Sequence, residues 1–223
     1  MSDDVPPAAA WQGGWLDGAR RCASPNFGAR PDATAIDLVV VHSISLPPGE
    51  YGGDQVERLF LNRLDPAEHP YFATIAGREV SAHFLVRRSG ELLQFVSCDD
   101  RAWHAGASSW QGRAGCNDYS IGVEFEGLEG GRFETAQYET FDALLRPLRR
   151  RYPIAWLAGH EHVAPGRKLD PGPGFDWWRL RPACSALSIR LPDPTVSTSP
   201  PAGSRDDAPR DGAVGIDPSG HTL

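Results

Sequence analysis

Two histidines and one aspartate carry the chemistry of this chain. His42 closes a nearly continuous apolar run, Ile36 to His42 (IDLVVVH), and stands just before a polar loop, SISLPPGE. His160 follows a second apolar stretch, Ile154 to Gly159, and opens the segment HEHVAPGRKLDPGPGFDW. Within that segment Asp170 precedes Pro171-Gly172-Pro173. A residue before proline is pushed to extended backbone, so the carboxylate sits on a stiffened loop. Taken singly, His42 reads as a hydrogen-bonded histidine at a sheet edge and Asp170 as a turn residue. Taken together, two neutral imidazoles and one carboxylate form a common catalytic zinc set that leaves a fourth position open. Zinc in such a set lowers the pKa of water to about 7, which supplies a nucleophile at neutral pH.

Other residues could complete that chemistry. Lys168 lies two positions before Asp170, so in an extended segment both side chains point the same way. A cation there would hold the oxyanion that forms when an amide carbonyl is attacked. It is the only lysine; the remaining cations are arginine. In Ser120 to Glu126 (SIGVEFE), Ile121, Val123 and Phe125 share one face, while Gly122, Glu124 and Glu126 share the other. Either Glu124 or Glu126 could serve as the base that passes a proton to the leaving amine, and alternation alone does not separate them. His160-Glu161-His162 lacks HExxH spacing and lies between Gly and Pro in an expected loop, so His162 is not read as a ligand. Cys116, beside Asn117 and Asp118, lacks the context of a thiol protease. His69 falls in a loop and His221 in the tail. Trp103 and His104 are candidate substrate contacts; for His83 and His104 a structural role is an equal alternative.

These residues need a scaffold, and the patterning predicts one. The run ending at His42 reads as a strand buried on both faces. Residues 53–63 place Val56, Leu59, Phe60 and Arg63 at helical spacing. Val80 to Val86 and Glu91 to Val96 read as a hairpin around Arg88-Ser89-Gly90. Over 135–152, Tyr138, Phe141, Leu145, Leu148 and Tyr152 form one helical stripe, with Thr135 as cap and Pro147 expected to kink or shorten the helix. Ile154 to Gly159 reads as a short strand and Asp176 to Arg181 as a short final helix. Interleaved strands and helices point to the α/β (mixed α+β) class, a central mixed sheet flanked by helices.

Composition narrows the partners. With a formal charge of -7 the chain lacks the basic field that nucleic acid requires, and Arg149 to Arg151 read as a solvated helix end. No apolar run is long enough to span a membrane. The start, MSDDVPPAAAWQGG, is acidic where a signal peptide is basic, so a cytoplasmic protein is expected, with Cys22, Cys98, Cys116 and Cys184 as reduced thiols. Residues 1–10 and 191–223 read as disordered ends around one domain over 11–185, acting as a monomer.

Five segments are more specific than any spacing: VVVHSISLPPGEYGG, DPAEHPYF, VSAHFLVRRSGELLQFV, RAWHAGASSWQGRAGCNDYSIGVEFEG and GHEHVAPGRKLDPGPGFDW. In this order, over nearly all of residues 12–182, the chain resembles the bacterial 1,6-anhydro-N-acetylmuramoyl-L-alanine amidases of the AmpD type. Their wider superfamily includes phage T7-type lysozymes and peptidoglycan recognition proteins. The resemblance implies a mixed sheet flanked by helices and a zinc site of His42, His160 and Asp170. It also implies Glu124, rather than Glu126, as acid/base and Lys168 as stabiliser of the transition state. The implied reaction cuts the amide between the lactyl group of anhydro-muramic acid and the L-alanine of a muropeptide, in cytosolic recycling of cell-wall fragments. Ser43 departs from the family, which often has Asn there, and Glu79 and Gly115 stand where some relatives have basic residues, which bears on peptide preference. A peptidoglycan-binding module without catalysis is the competing class, and it need not keep the full ligand set with Glu124 and Lys168.

Overall fold

Val39, Val40 and Val41 are β-branched and fully buried, and a run of this kind forms a central strand covered on both faces. In this computed structural model, which describes residues 11–192, it lies in a six-stranded sheet. The strands are β1 (Arg20–Arg21), β2 (Leu38–Ile44), β3 (Phe84–Val86), β4 (Leu92–Gln94), β5 (Ser120–Glu126) and β6 (Trp156–Gly159). Their spatial order is β6-β2-β5-β3-β4-β1. β2 runs parallel to β6 and β5, β5 to β3, and β4 to β1, while β3 and β4 form the expected antiparallel hairpin. The sheet is therefore mixed, as expected, although β3 begins only at Phe84 and β4 covers only the middle of Glu91 to Val96. The disorder expected for 1–10, and for the tail apart from Leu191 and Pro192, lies outside the described residues.

Helices α1 (Gln55–Phe60), α2 (Pro70–Thr74), α3 (Thr135–Arg151), α4 (His160–Val163) and α5 (Trp177–Ala186) surround the sheet. α1 buries Val56, Leu59 and Phe60 but ends before the exposed Arg63, because Asn62 turns to φ 57°. Thr135 is not the cap of α3: Glu134 holds that place, and its N–H donates to the Gln137 side chain at 2.9 Å. Nor does Pro147 end the helix, which runs on to Arg151. A proline inside a helix costs about 3 kcal/mol. Burying Tyr138, Phe141, Leu144, Leu145 and Leu148 is worth about 1.5–3 kcal/mol each, which outweighs it. The arginines at its end are also not simply solvated, since Arg149 donates to the Leu187 carbonyl and Arg151 to Asp99. α5 extends past the expected Arg181 to Ala186, with Asp176 accepting from the Trp178 N–H at its start. All four cysteines are free. Among the described residues, no helix is long and apolar enough to cross a membrane.

The two faces of the sheet have separate tasks. Val39, Val41, Val123 and Phe125 point toward α3 and α5 and form the largest part of the core with Phe141, Leu145, Leu148 and Leu180. Phe125 anchors it, with ring centroids 5.1–6.0 Å from Phe133, Tyr138, Phe141 and Phe175. On the other face Leu38 and Val40 pack with Ala105, Tyr119, Ala158 and Val163, and Ile44 packs with α1 and α2. Between these two apolar patches stand His42 and Glu124, directly opposite one another in the β2–β5 ladder.

Candidate metal centre and active site

Parallel pairing brings the first two ligands together. Gly159, the last residue of β6, pairs with Val41 of β2, so the next residues of the two strands, His160 and His42, fall side by side. His160 opens the one-turn helix α4, where a loop was expected. The Asp170 loop is then drawn in by main-chain pairing, the Glu161 N–H donating to the Asp170 carbonyl at 2.9 Å. Gly159 makes room for it: a Cβ there would lie 2.8 Å from Pro171 Cδ and 3.0 Å from His162 Nδ1.

Three buried atoms converge as a result. His42 Nδ1 and His160 Nδ1 are 3.0 Å apart, and Asp170 Oδ2 lies 3.2 Å from the first and 3.1 Å from the second. Zinc bonds of about 2.0–2.1 Å place tetrahedral ligand atoms about 3.3 Å apart, so the spacing suits such an ion. The donor chemistry fits too. His160 Nε2 is 3.1 Å from the Ala105 carbonyl, so its proton sits on Nε2 and its lone pair on Nδ1. Burial, then the neighbouring His160, push His42 down to about 4, which keeps it in the neutral form a metal needs. Burial opposes the charge on Asp170, but the adjoining histidines outweigh it and hold the carboxyl well below its ordinary range. Its Oδ1 is buried without a hydrogen-bond partner. Among the described residues these three form a group able to hold a metal ion.

The two glutamates of β5 share a face and differ completely in surroundings. Glu126 is saturated: it accepts from the Gly52 N–H at 2.7 Å, the Arg87 guanidinium at 3.0 Å and the Arg88 N–H at 2.9 Å. Its partner Arg87 is buried as well. Glu126→Ala removes the acceptor of the Gly52 and Arg88 N–H groups and one of the two carboxylates on Arg87, which keeps Glu57 and the Gly53 carbonyl. The expected result is a loss of about 1–3 kcal/mol in stability, read from thermal or denaturant unfolding. Glu124 has no such role. Its Oε2 is buried without a partner. Burial, then the Asp170 charge, push its carboxyl well above the ordinary range, and Lys168 opposes them. Lys168 is itself buried, and its charge bears on both Glu124 and His42.

Of the two candidate substrate contacts, only His104 adjoins the ligand group, with Nδ1 2.9 Å from His42 Nε2. Trp103 is held by main-chain bonds to Ser81, and its indole nitrogen faces Gly28. His83 accepts from the Gly122 N–H. His162 accepts from the Gly159 N–H and packs on Trp177. His69 caps α2, and Cys116 bonds the Tyr119 hydroxyl. His221 lies outside the described residues. Residue types alone did not single out Asn117, the Ala105 carbonyl or Gly122, although a glycine inside a strand signals close approach of another group.

A family model described as N-acetylmuramoyl-L-alanine amidase matches residues 32–173, a span that contains His42, Glu124, His160, Lys168 and Asp170. The 1,6-anhydro-N-acetylmuramyl-L-alanine amidase AmpD of Escherichia coli K12 is 54% identical over 170 residues, 75% of this chain and 93% of that protein. Its counterpart from Citrobacter freundii is 53% identical over 170 residues, 75% and 91% of the respective chains. A crystal structure of a selenomethionine AmpD derivative is similar at a TM-score of 0.74 and 50% identity, over 78% of this chain and 98% of that one.

Proposed function

The chain belongs to the N-acetylmuramoyl-L-alanine amidase family, and from that premise we propose that it is a zinc-dependent hydrolase of anhydro-muropeptides. The bond cut is the amide between the lactyl carbonyl of 1,6-anhydro-muramic acid and the nitrogen of L-alanine. The observation that carries this reading is the meeting of His42 Nδ1, His160 Nδ1 and Asp170 Oδ2 on the face that also presents Glu124. The substrate class is supported by relatives that carry the name over more than nine-tenths of their own length.

Zinc held by His42, His160 and Asp170 would supply Lewis acidity, polarising the amide carbonyl and acidifying water. The rest of the work falls to this chain's own groups. Glu124 takes the proton from the attacking water and delivers it to the alanine nitrogen as the amide bond breaks. A carboxyl raised by burial suits both halves of that task, because it accepts and releases a proton closer to neutral pH than an exposed one. Lys168 sets its ammonium charge against the negative charge that grows on the carbonyl oxygen. Burial of all five groups makes these electrostatic effects larger than they would be in water.

A 1,6-anhydro ring closes C1 of the sugar and so marks the end of a glycan strand. We therefore assign the activity to turnover fragments, recycled in the cytosol by the protein acting as a monomer. The test is mass spectrometry of products from purified protein given matched anhydro- and reduced-sugar muropeptides. Release of the intact stem peptide from the anhydro substrate is the expected result. Binding without turnover would favour a recognition module, and cleavage inside the peptide would refute the assigned bond.

A further inference from the structure

We propose that His104 is the positioning residue that holds His42 in the one tautomer able to ligate a metal through Nδ1. The argument begins at the closed end of a hydrogen-bond chain. The Ser120 hydroxyl donates its single proton to the Cys116 carbonyl at 2.6 Å. Its oxygen, 3.2 Å from His104 Nε2, must then accept, so His104 carries its proton on Nε2. A neutral imidazole protonated at Nε2 has a lone pair at Nδ1. That lone pair faces His42 Nε2 at 2.9 Å, which must therefore be an N–H. His42 is left with a bare Nδ1, aimed at His160 Nδ1 and the Asp170 carboxylate. The whole direction of donation is thus set by one serine hydroxyl on the neighbouring strand.

The backbone is built around this ring. Asn117 Oδ1 accepts from the N–H groups of both His104 and Ala105, at 3.1 and 2.8 Å, and so fixes the segment that carries the imidazole. The ring lies flush on β5 at Gly122: a Cβ there would come within 2.4 Å of His104 Cγ and 2.6 Å of its Nδ1. The strand therefore gives up a side chain in its interior to seat the histidine, the kind of close approach for which glycine is used. Metal-bound histidines generally donate their second N–H to a carboxylate, carbonyl or water. Here the acceptor is a second imidazole, whose own acceptor state depends on Ser120. His160 uses the simpler solution, the Ala105 carbonyl, one residue along the same segment.

The inference rests on the metal-ligand reading of His42, and two measurements separate its failure from the failure of that reading. In metal-free, full-length protein with 15N-labelled histidine, NMR couplings within the ring report which nitrogen carries the proton. The expected wild-type signature for His42 is Nε2–H, and in His104→Leu the Nδ1–H form should appear. Zinc affinity, measured by competition with a chromophoric chelator, should fall about 10–100-fold in His104→Leu, the usual cost of losing a ligand's outer partner. It should fall in Gly122→Ala as well, which displaces the ring without changing it. His104→Gln keeps an acceptor oxygen and should recover most of the loss. An Nδ1–H His42 in the wild type, equal zinc affinity in His104→Leu, or Gln as weak as Leu would each overturn the role of His104. A wild type that binds no zinc would overturn the metal reading instead, while the tautomer in the metal-free protein still decides the role of His104.

Discussion

Glu124→Gln is expected to slow cleavage of an anhydro-muropeptide by about 100- to 10,000-fold, the range that general acid–base catalysis contributes. Glutamine keeps the size and shape of the side chain but cannot carry a proton from water to a leaving amine. The substitution should not harm the fold. Glu124 has a buried Oε2 without a partner, and burial disfavours its charge, so a neutral amide removes a desolvation cost rather than a contact. Three readings on one preparation check this: the rate of stem-peptide release, zinc per chain, and the thermal midpoint. Zinc at one per chain and an unchanged or raised midpoint should accompany the slow rate. Activity within a few-fold of wild type would remove Glu124 from the mechanism. The contrast with Glu126→Ala, whose expected effect is on stability, keeps the two glutamates distinguishable.

Loss of the metal should be more severe still. Asp170→Asn replaces the one anionic ligand by an amide while His42 and His160 stay in place. Second-sphere changes already cost about 10–100-fold in metal affinity or activity, so removal of a direct ligand should exceed that range. The expected protein holds far less than one zinc per chain and shows no measurable release of L-alanine-terminated peptide. Chelation of the wild type should give the same inactivity, and added zinc should restore the wild type alone. A variant that retains stoichiometric zinc and full turnover would show that Asp170 is a turn residue and not a ligand.

Much of the scaffold could be read along the chain because local patterns agreed with the final packing. Three consecutive valines demanded a covered strand, strict alternation in Ser120 to Glu126 set two faces, and an apolar stripe defined α3. Failures came where distant contacts overruled local preference. The stripe of α3 carried the helix through Pro147, and α5 extended through Pro182. β3 formed only over the residues that find a partner on β5, at Phe84 to Val86.

The site divides along the same line. Sequence by itself determined which chemistry was available: two imidazoles, a carboxylate before proline, a single lysine, and two acidic residues on one strand face. Only the tertiary structure decided how those groups act. His42 and His160, 118 residues apart, become neighbours through parallel pairing of β2 and β6. Glu126 is consumed by Arg87 and two main-chain N–H groups, which leaves Glu124 as the glutamate with an unsatisfied oxygen. The proton on His42 is placed by His104 and Ser120, residues on other segments. A residue's type and its neighbours in sequence define what it can donate or accept. Which of those capacities stays open depends on which partners the fold has already used.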